Sequence, residues 1–485
     1  MPDSFKQKTI TGVSWSLVEQ VLARGVNFII GIILARLLSP TDYGLVGMLG
    51  IFLGISQIFI DGGLASALIQ RKSPSDKDFS TVYIINMSMS IVLYAVLFFI
   101  APYVATFYDQ PLLKPLLRVL AISLIIGSIS SVQSTLLSIR VDFKSKTYIS
   151  ILSSIISGSV GILCAYRGMG VWALVAQTIA SSAALTVLTL LFVRWMPRLV
   201  FSKESFKNLF SFSSKILVAS LISTVYDNAY PMVIGKKFSA ADVGQYARAG
   251  QFPGIANGTI TGALGKVAFP VFSKIQDDDE RLLKAYEKYI QISSFIIFPI
   301  LMGICGCAKP LVSFLLTDKW LECVPLMQIL CFGIITNGIT TINLNLLYVK
   351  GRSDYVLKLE IIKKSIAFSI LFISMFFSVK IMCYGQVLYG FISMYLNTYY
   401  TKKLLGYSFR KQIKVVYPYF LIALVVLFEA LVFSSIVKNS LISIAVSLAV
   451  CPATYLLLSR YANLYAYQEA LDLFNNYIGA LKKGR

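Results

Sequence analysis

Long apolar segments separated by short polar gaps run along the whole chain. About fourteen of them approach the roughly 20 apolar residues that a helix needs to cross a bilayer. They lie near residues 13–35, 44–68, 81–107, 116–137, 148–166, 171–193, 212–234, 246–271, 289–308, 324–348, 362–379, 384–401, 416–436 and 440–458. The pattern predicts an all-α integral membrane protein with about fourteen transmembrane helices.

Basic residues are concentrated in alternate gaps between these segments. About 30 of the 44 Lys and Arg residues lie in one set of gaps and in the termini, against about 8 in the other set. Because cytoplasmic loops carry the excess of positive charge, we expect the first set to be cytoplasmic. An even number of spans then places both termini in the cytoplasm.

A short phrase occurs twice, 200 positions apart. Residues 36–44 read RLLSPTDYG and residues 236–244 read KKFSAADVG. The register aligns Ser39 with Ser239, Asp42 with Asp242 and Gly44 with Gly244. The pattern Ser-x-x-Asp-x-Gly is also ordinary turn chemistry, so chance similarity between two helix corners remains the alternative to a true duplication.

The two copies follow spans 1 and 7, and six intervening spans give them the same orientation. Parallel repeats related by an axis along the membrane normal are typical of transporters. We therefore expect one six-helix lobe in residues 1–200 and a second in residues 201–405. Residues 406–485 are expected to add two transmembrane helices and a cytoplasmic tail. The polar gap near 194–212 is the expected linker between the lobes.

Composition excludes several classes of function. The chain has 485 residues, of which 56% are hydrophobic and 14% charged, whereas a soluble chain carries about 25% charged residues. The net charge of +21 would suggest nucleic acid in a soluble protein, but here the basic residues lie in the gaps, where they orient spans and meet anionic headgroups. We expect no nucleic-acid partner.

Candidate catalytic and metal-binding groups are scarce. The sequence contains no histidine and seven scattered cysteines, and it has no glycine-rich phosphate-binding motif. The acidic run at 277–280 is expected to be a solvated loop start or the N-terminal turn of a helix, rather than a metal or nucleotide site. No gap on the outer side is long enough for a catalytic domain. We expect no catalytic residues, no metal site and no cofactor.

Polar side chains inside the apolar spans are the candidates for a binding site, because a charge at a helix centre costs about 2.5–3.5 kcal/mol. The polar residues of spans 1 and 7 share one helical face in each span. Spans 2 and 8 carry further polar residues in equivalent places. The predicted substrate-binding and cavity residues are Gln20, Arg24, Asn27, Gln57, Asp61, Thr224, Asp227, Arg248 and Asn257.

Several of these residues have alternative interpretations. Arg24 is expected to bind an anion, and Asp227 to pair with a ligand or to couple an ion. An interhelical ion pair is the structural alternative for both. Asp61-Gly62-Gly63 is either a hinge or site, or a stretch where small residues permit close helix packing.

Three segments resemble one known superfamily. They read GVSWS at 12–16, NFIIGIILARLLSPTDYG at 27–44 and IDGGLASALIQR at 60–71. These segments are similar to the polysaccharide transporter branch of the multidrug/oligosaccharidyl-lipid/polysaccharide exporter superfamily, and most of all to bacterial lipopolysaccharide and exopolysaccharide flippases. The resemblance extends over nearly the whole chain.

The resemblance implies a V-shaped bundle with a central cationic cavity and alternating access. It implies a flippase that moves a polyprenyl-pyrophosphate-linked oligosaccharide from the cytoplasmic to the outer leaflet of the bacterial plasma (inner) membrane. Its partners would be this substrate, membrane lipids and, in some systems, a polysaccharide polymerase and assembly proteins. Arg24 matches the basic residue that the family tends to place in span 1.

Two other functions stay open at this point. A cation-coupled multidrug antiporter of the same superfamily typically has twelve spans and relies on buried acids. A non-transporting membrane scaffold of a polysaccharide assembly complex would need no cavity. The sequence does not determine the glycan, the lipid carrier, the energy source or the oligomeric state.

Overall fold

The chain is a multi-pass helical membrane protein. The computed structural model describes residues 24–71, 73–198 and 200–472, and within these ranges all regular structure is helical. Nine of the described helices or helix pairs are long and apolar enough to cross a membrane, or ten if one bent pair counts as a single span. The prediction of an all-α membrane protein is confirmed.

Contacts between residues divide the chain into two compact units. The first unit ends at Gly244 and the second begins at Gln245. The first unit comprises α1 (24–37), α2 (Pro40–Asp61), α3 (Leu64–Gln70), α4 (Asp76–Phe107), α5 (Leu113–Leu120), α6 (Ile122–Ile129), α7 (Ser131–Ile139), α8 (Phe143–Tyr166), α9 (Val171–Phe192), α10 (Lys203–Lys237) and the first residues of α11 (Ala240–Lys274).

The second unit contains the rest of α11 and eight further helices. These are α12 (Asp279–Gly306), α13 (Ala308–Leu315), α14 (Cys323–Ile334), α15 (Asn337–Val349), α16 (Ser353–Ser374), α17 (Val379–Leu405), α18 (Phe409–Ile436) and α19 (Ser440–Tyr461). A further helix begins at 465 and is described to 472. Asp278 of the acidic run caps α12 by accepting from the backbone N–H of Arg281 at 3.0 Å, which confirms that the run starts a helix.

Two predicted spans are interrupted. Span 2 breaks after Asp61, because Gly62 and Gly63 adopt left-handed backbone conformations with φ of 54° and 72° that separate α2 from α3. Span 4 is made of α5, α6 and α7, and it bends by 45° between Ile129 and Ser131. Apolarity alone does not reveal such breaks.

Two predicted boundaries were wrong, since polar first turns extend helices beyond their apolar cores. The linker expected at 194–212 shortens to 193–202, because Ser202 caps α10 and accepts from the backbone N–H of Ser205 at 3.2 Å. The span expected at 362–379 is α16, which begins nine residues earlier. The earlier start brings Glu360 into the helix, where it pairs with the buried Lys363 at 2.5 Å.

Each unit has its own apolar core, and the second unit adds a buried polar network. Tyr286 donates to Asn343 Oδ1, and Thr401 Oγ1 donates to the same oxygen at 3.1 Å. Gln412 Nε2 donates to the Tyr286 hydroxyl at 2.7 Å, and Gln412 Oε1 accepts from Thr398 Oγ1 at 2.6 Å. All five side chains are fully buried. The network ties α18 to α12, α15 and α17, because breaking it would leave polar groups unpaired in a low dielectric.

Candidate functional site

The repeated phrase forms the same helix cap twice. Ser39 N–H donates to Asp42 Oδ2 at 2.9 Å, and Asp42 N–H donates to Ser39 Oγ at 3.2 Å. Ser239 and Asp242 repeat this exchange at 3.1 Å and 3.1 Å. Both are capping boxes, at the starts of α2 and α11. Helix-start chemistry therefore accounts for the Ser and the Asp of the repeat.

The glycines of the repeat have a separate role. A Cβ atom on Gly44 would lie 1.6 Å from the carbonyl oxygen of Ala240, and a Cβ on Gly244 would lie 2.0 Å from the carbonyl oxygen of Pro40. The first turns of α2 and α11 thus cross with backbone against backbone. Gly44 of α2 contacts α11, and Gly244 of α11 contacts α2. Turn chemistry does not require this reciprocal contact, which only a residue without a side chain permits.

The contact continues along α2 as a seam of small residues. Ideal Cβ positions at Gly47, Gly50 and Gly54 lie 2.9 Å from Val243 Cγ1, 3.0 Å from Asn228 Oδ1 and 3.1 Å from Thr224 Cγ2, respectively. We call Gly44, Gly47, Gly50 and Gly54 the glycine seam. Small residues let membrane helices approach closely, so the seam joins α2 to α10 and to the start of α11 within the first unit. The predicted site residue Thr224 packs against it.

A polar pocket of about 280 Å³ lies in the same unit. Its polar lining comes from α2, α4, α6, α7 and α8 and comprises Gln57, Asp61, Asn86, Ser128, Ser131, Ser134, Thr135, Ser138 and Lys146. Both interrupted spans adjoin it, one at Asp61 and the other at Ser128 and Ser131. Interrupted helices in membrane proteins are tolerated where they line a cavity.

Hydrogen bonds connect the helices that line the pocket to one another and to α9. Asn86 Nδ2 donates to Ser131 Oγ at 3.1 Å, and the hydroxyls of Ser90 and Ser128 lie 3.0 Å apart. Thr186 Oγ1 donates to the carbonyl oxygen of Ile126 at 2.9 Å, beside the bend of the span. A carboxylate, two amides, an ammonium and several hydroxyls therefore line one cavity in an otherwise apolar helix bundle. Such groups can hold sugar hydroxyls or a small ion.

The structure brings together two of the nine predicted site residues in this pocket, Gln57 and Asp61. Gln20 lies outside the described residues. Arg24 and Asn27 are exposed on α1, and Asp227 is exposed on α10. The Ser223 hydroxyl donates to Asp227 Oδ2 at 3.4 Å. Arg24, Asn27 and Asp227 do not line the pocket, and their role in binding, like that of Gln20, stays a prediction.

The last two predicted residues lie in the second unit, and both are buried. Arg248 is 5% exposed and Asn257 is 9% exposed. The guanidinium carbon of Arg248 lies 5.4 Å from the centre of the Trp320 ring, and its Nη1 donates to Gln251 Oε1. These contacts give the Arg248 guanidinium an aromatic and a polar partner in the interior of its own unit. Its proposed contact with substrate stays untested.

The sequence reasoning missed most of the pocket. One polar helical face inside an apolar span could have been recognised from the sequence. It consists of residues that recur at helical spacing, namely Ser131, Ser134, Thr135 and Ser138. Asn86 is a single amide in the apolar span predicted at 81–107, and Lys146 lies in the gap between the spans predicted at 116–137 and 148–166. Glu429 of α18 was also missed; it is half-buried inside a predicted span, and its Oε2 atom is buried without a hydrogen-bond partner.

Among the residues described in 24–472, no group of three or more His, Cys, Asp or Glu side chains could hold a metal ion.

Comparison with known proteins gives consistent relationships. Residues 33–325 match the family described as "Polysaccharide biosynthesis protein". The succinoglycan biosynthesis transport protein ExoT of Rhizobium meliloti is 28% identical over 72% of this chain and 71% of its own length. The lipopolysaccharide biosynthesis protein WzxC of Escherichia coli is 25% identical over 74% of each chain.

A solved structure shares the fold. The lipid II flippase MurJ, in an inward closed conformation, superposes with a TM-score of 0.77 at 14% identity. The match covers 95% of this chain and all of that chain. At this identity the likeness shows the fold alone. The family match spans more than half of the chain, so the protein belongs to the polysaccharide biosynthesis protein family, as its resemblance to polysaccharide transporters predicts.

Proposed function

We propose that this protein is a flippase for a lipid-linked oligosaccharide and that it is not an enzyme. The observation that carries the proposal is the pocket of the first unit, whose lining brings polar side chains of five helices together. Sugar hydroxyls and phosphates cannot cross hydrocarbon unaided, because each unpaired polar group costs several kcal/mol. A polyprenyl-pyrophosphate-linked glycan destined for lipopolysaccharide or exopolysaccharide is the proposed cargo, and the membrane is the bacterial plasma membrane.

The proposed topology has fourteen spans with both termini in the cytoplasm. The predicted lobes at 1–200 and 201–405, with the helices of 406–485 added, belong to this proposal. In this orientation α2 begins at the outer surface and Asp61 lies toward the cytoplasmic side. The pocket would then receive the hydrophilic part of the cargo from the cytoplasmic leaflet. A polysaccharide polymerase and assembly proteins are the proposed downstream partners.

The glycine seam is the proposed outer closure in an alternating-access cycle. It lies at the end of α2 that would face outward, where backbone meets backbone at Gly44 and Gly244. The crossing consists of close packing, in which weak contacts of the Cα–H to oxygen type contribute at most about 1 kcal/mol each. A closure without strong polar bonds can open at a modest cost in free energy. Release of cargo to the outer leaflet would require the seam to open.

Pocket residues divide by chemistry. Lys146 of the pocket, together with Arg24 of the predicted set, would bind the anionic headgroup as cations. Gln57, Asp61 and the serine hydroxyls would bind sugar hydroxyls, which both donate and accept hydrogen bonds. Asn27, Thr224, Asp227, Arg248, Asn257 and Gln20 complete the predicted binding set.

Lys146→Met is expected to lower the flipping rate of a polyprenyl-pyrophosphate-linked oligosaccharide in proteoliposomes by about tenfold, because a charge-assisted bond to phosphate contributes roughly 1.5–3 kcal/mol. Lys144→Met is the matched control. Lys144 lies two residues away, is exposed and does not line the pocket. Equal loss in the two variants would point to a general effect of charge at the membrane surface.

A deletion strain tests the class of substrate. Loss of glycan export with unchanged drug sensitivity is expected, and the reverse result would favour the multidrug antiporter. Export that survives both Lys146→Met and removal of the other predicted cations would favour a scaffold. Purified protein that flips a lipid-linked oligosaccharide without any partner would exclude the scaffold.

The second unit offers a place for the lipid chain. An apolar cavity of about 470 Å³ lies among α12, α13, α18 and α19 and is lined by residues such as Ile300, Leu448 and Leu456. Gly303 also lines this cavity, and no heavy atom lies within 4 Å of the position where its Cβ would stand. A polyprenyl chain is large enough to use such a space, and the apolar lining would replace the lipid around the chain without exposing it to water.

Gly303→Phe is expected to fill this cavity and to slow the flipping of long-chain polyprenyl substrates several-fold. Short-chain analogues should be less affected, because they do not need the space. Gly303→Ala adds little volume and serves as the control. The rates for the two chain lengths are measured in the same proteoliposomes, and equal slowing of both would remove the cavity from the transport route.

A further inference from the structure

A groove of about 440 Å³ lies between α14 and α17 in the second unit. Its volume is in the range of about 300–1,000 Å³ that ligand sites occupy. The two helices touch at one end of it, since a Cβ atom on Gly390 would lie 2.8 Å from the carbonyl oxygen of Gly333. The first lining residues are Pro325 of α14 and Lys380 of α17. The groove therefore runs from the first turns of both helices to this contact.

The walls of the groove are apolar and open toward lipid. Ile329, Phe332, Val387 and Phe391 line it. On α17, Phe391 is 44% exposed and the neighbouring Leu388 is 55% exposed. An exposed apolar face on a helix of a membrane protein contacts the lipid chains. A hydrocarbon chain can therefore enter the groove from the bilayer without crossing water.

The length of the groove matches one leaflet of a membrane. The residues that α17 contributes are Lys380, Tyr384, Val387 and Phe391, and their spacing places them on one helical face. From Lys380 to Phe391 the helix rises about 16 Å. Half of the roughly 30 Å hydrocarbon thickness is about 15 Å. One acyl chain of a phospholipid thus has the length of the groove.

The mouth of the groove carries a positive charge. Lys380 lies exposed in the first turn of α17, and among the described residues no carboxylate pairs with its ammonium. Tyr384 lies one turn further in, and its hydroxyl can donate to a phosphate or ester oxygen. The amide of Gln328 is already used, because its Nε2 atom donates to the carbonyl oxygen of Cys305 at 3.2 Å. The mouth therefore complements an anionic head.

We propose that this groove binds one anionic glycerophospholipid of the phosphatidylglycerol type, with its phosphate on Lys380 and one acyl chain against Phe332 and Phe391. One lysine matches one phosphodiester, whereas the pyrophosphate of the proposed cargo carries more charge. Binding of this lipid does not rest on the proposed function. In the proposed topology the mouth faces the outer leaflet. The bound chain would fill the space between α14 and α17 and hold the two helices in their present arrangement.

The test is native mass spectrometry of the full chain in detergent micelles, titrated with phosphatidylglycerol in the absence of any glycolipid. Wild type is expected to retain one phosphatidylglycerol about fivefold more tightly than phosphatidylcholine with the same acyl chains, because a lysine near the surface favours anionic lipid. Lys380→Met is expected to abolish this preference. Lys438→Met is the matched control, since Lys438 is exposed in the gap between α18 and α19 and does not line the groove.

A second pair of variants tests the chain-binding part of the groove. Val387→Trp is expected to fill it and to weaken retention about tenfold. Leu388→Trp is the control, because it adds the same side chain at the next position, which is exposed and does not line the groove. Phosphatidylglycerol with a photoreactive diazirine in its acyl chain is expected to label α14 and α17 in wild type and in the control, but not in Val387→Trp.

Tyr384→Arg keeps the test informative if another variant folds poorly. It adds a second cation to the groove and is expected to tighten phosphatidylglycerol binding several-fold, a gain that misfolding cannot produce. Equal retention of the two lipids by wild type, equal losses in Lys380→Met and Lys438→Met, or labelling outside α14 and α17 would overturn the site. Protein that binds the phospholipid but flips no glycolipid would refute the proposed function and leave the site standing, and flipping without this binding would do the reverse.

Discussion

A disulfide that joins α2 to α11 in the variant Gly47→Cys/Val243→Cys is expected to stop glycolipid transport, and its reduction is expected to restore it. A Cβ on Gly47 would lie 2.9 Å from Val243 Cγ1, which is compatible with the roughly 3.5–4.5 Å between Cβ atoms of a disulfide. The bond would hold the glycine seam closed. A transporter confined to one state cannot complete its cycle, so transport should fall by about tenfold or more.

The measurement is flipping in proteoliposomes before and after oxidation and again after reduction, in a background without the seven native cysteines. Gly161→Cys/Gln177→Cys is the control, since a Cβ on Gly161 would lie 3.0 Å from Gln177 Cβ in the contact between α8 and α9. These two helices are expected to move together, so their crosslink should leave transport intact. Full activity of the oxidised seam variant would show that the seam does not open.

Gly44→Ala is expected to prevent the seam from closing. The new Cβ would stand 1.6 Å from the carbonyl oxygen of Ala240, and a backbone atom cannot move aside as the tip of a side chain can. Overpacking of this kind typically costs about 1–3 kcal/mol, which corresponds to a shift of roughly 5- to 150-fold between two states. Gly244→Ala should have a similar effect, because its Cβ would meet the carbonyl oxygen of Pro40 at 2.0 Å.

The effect is read as the yield of the disulfide in Gly47→Cys/Val243→Cys, with and without Gly44→Ala. A steep fall in yield is expected, accompanied by loss of transport and a folded protein by thermal melting. Gly262→Ala is the matched control, because no heavy atom lies within 4 Å of its ideal Cβ in α11. If Gly44→Ala left the yield unchanged, the reciprocal contact would not be required for closure.

The repeat shows which structural features a local sequence pattern can explain. Its Ser and Asp residues are explained by the capping boxes at Ser39 and Ser239, so the alternative of ordinary turn chemistry was correct for those two residue types. Its glycines are explained by a contact between positions about 200 residues apart. Gly62 and Gly262 also align, yet only Gly62 has a positive φ and interrupts its helix. The two aligned segments therefore differ in structure at this point.

The candidate site was predictable only in part. Gln57 and Asp61 were found because two polar residues four positions apart in an apolar span share a helical face. Lys146 was assigned to a loop, since a lysine near a span boundary is ordinarily an orienting charge. A single amide such as Asn86 does not by itself predict a site. Only the structure shows that its side chain lies beside the hydroxyls of α7 and has a buried oxygen without a hydrogen-bond partner.

The sequence by itself determined that the chain folds into membrane-spanning helices and where most of them start, because apolarity and capping depend on neighbouring residues. It also determined the family. Only the tertiary structure decided which small and polar residues meet: the glycine seam against α10 and α11, and the pocket in which Asp61, Asn86 and Lys146 share one space. The reason is that close packing depends on the distance between helices, and no local stretch of sequence specifies that distance.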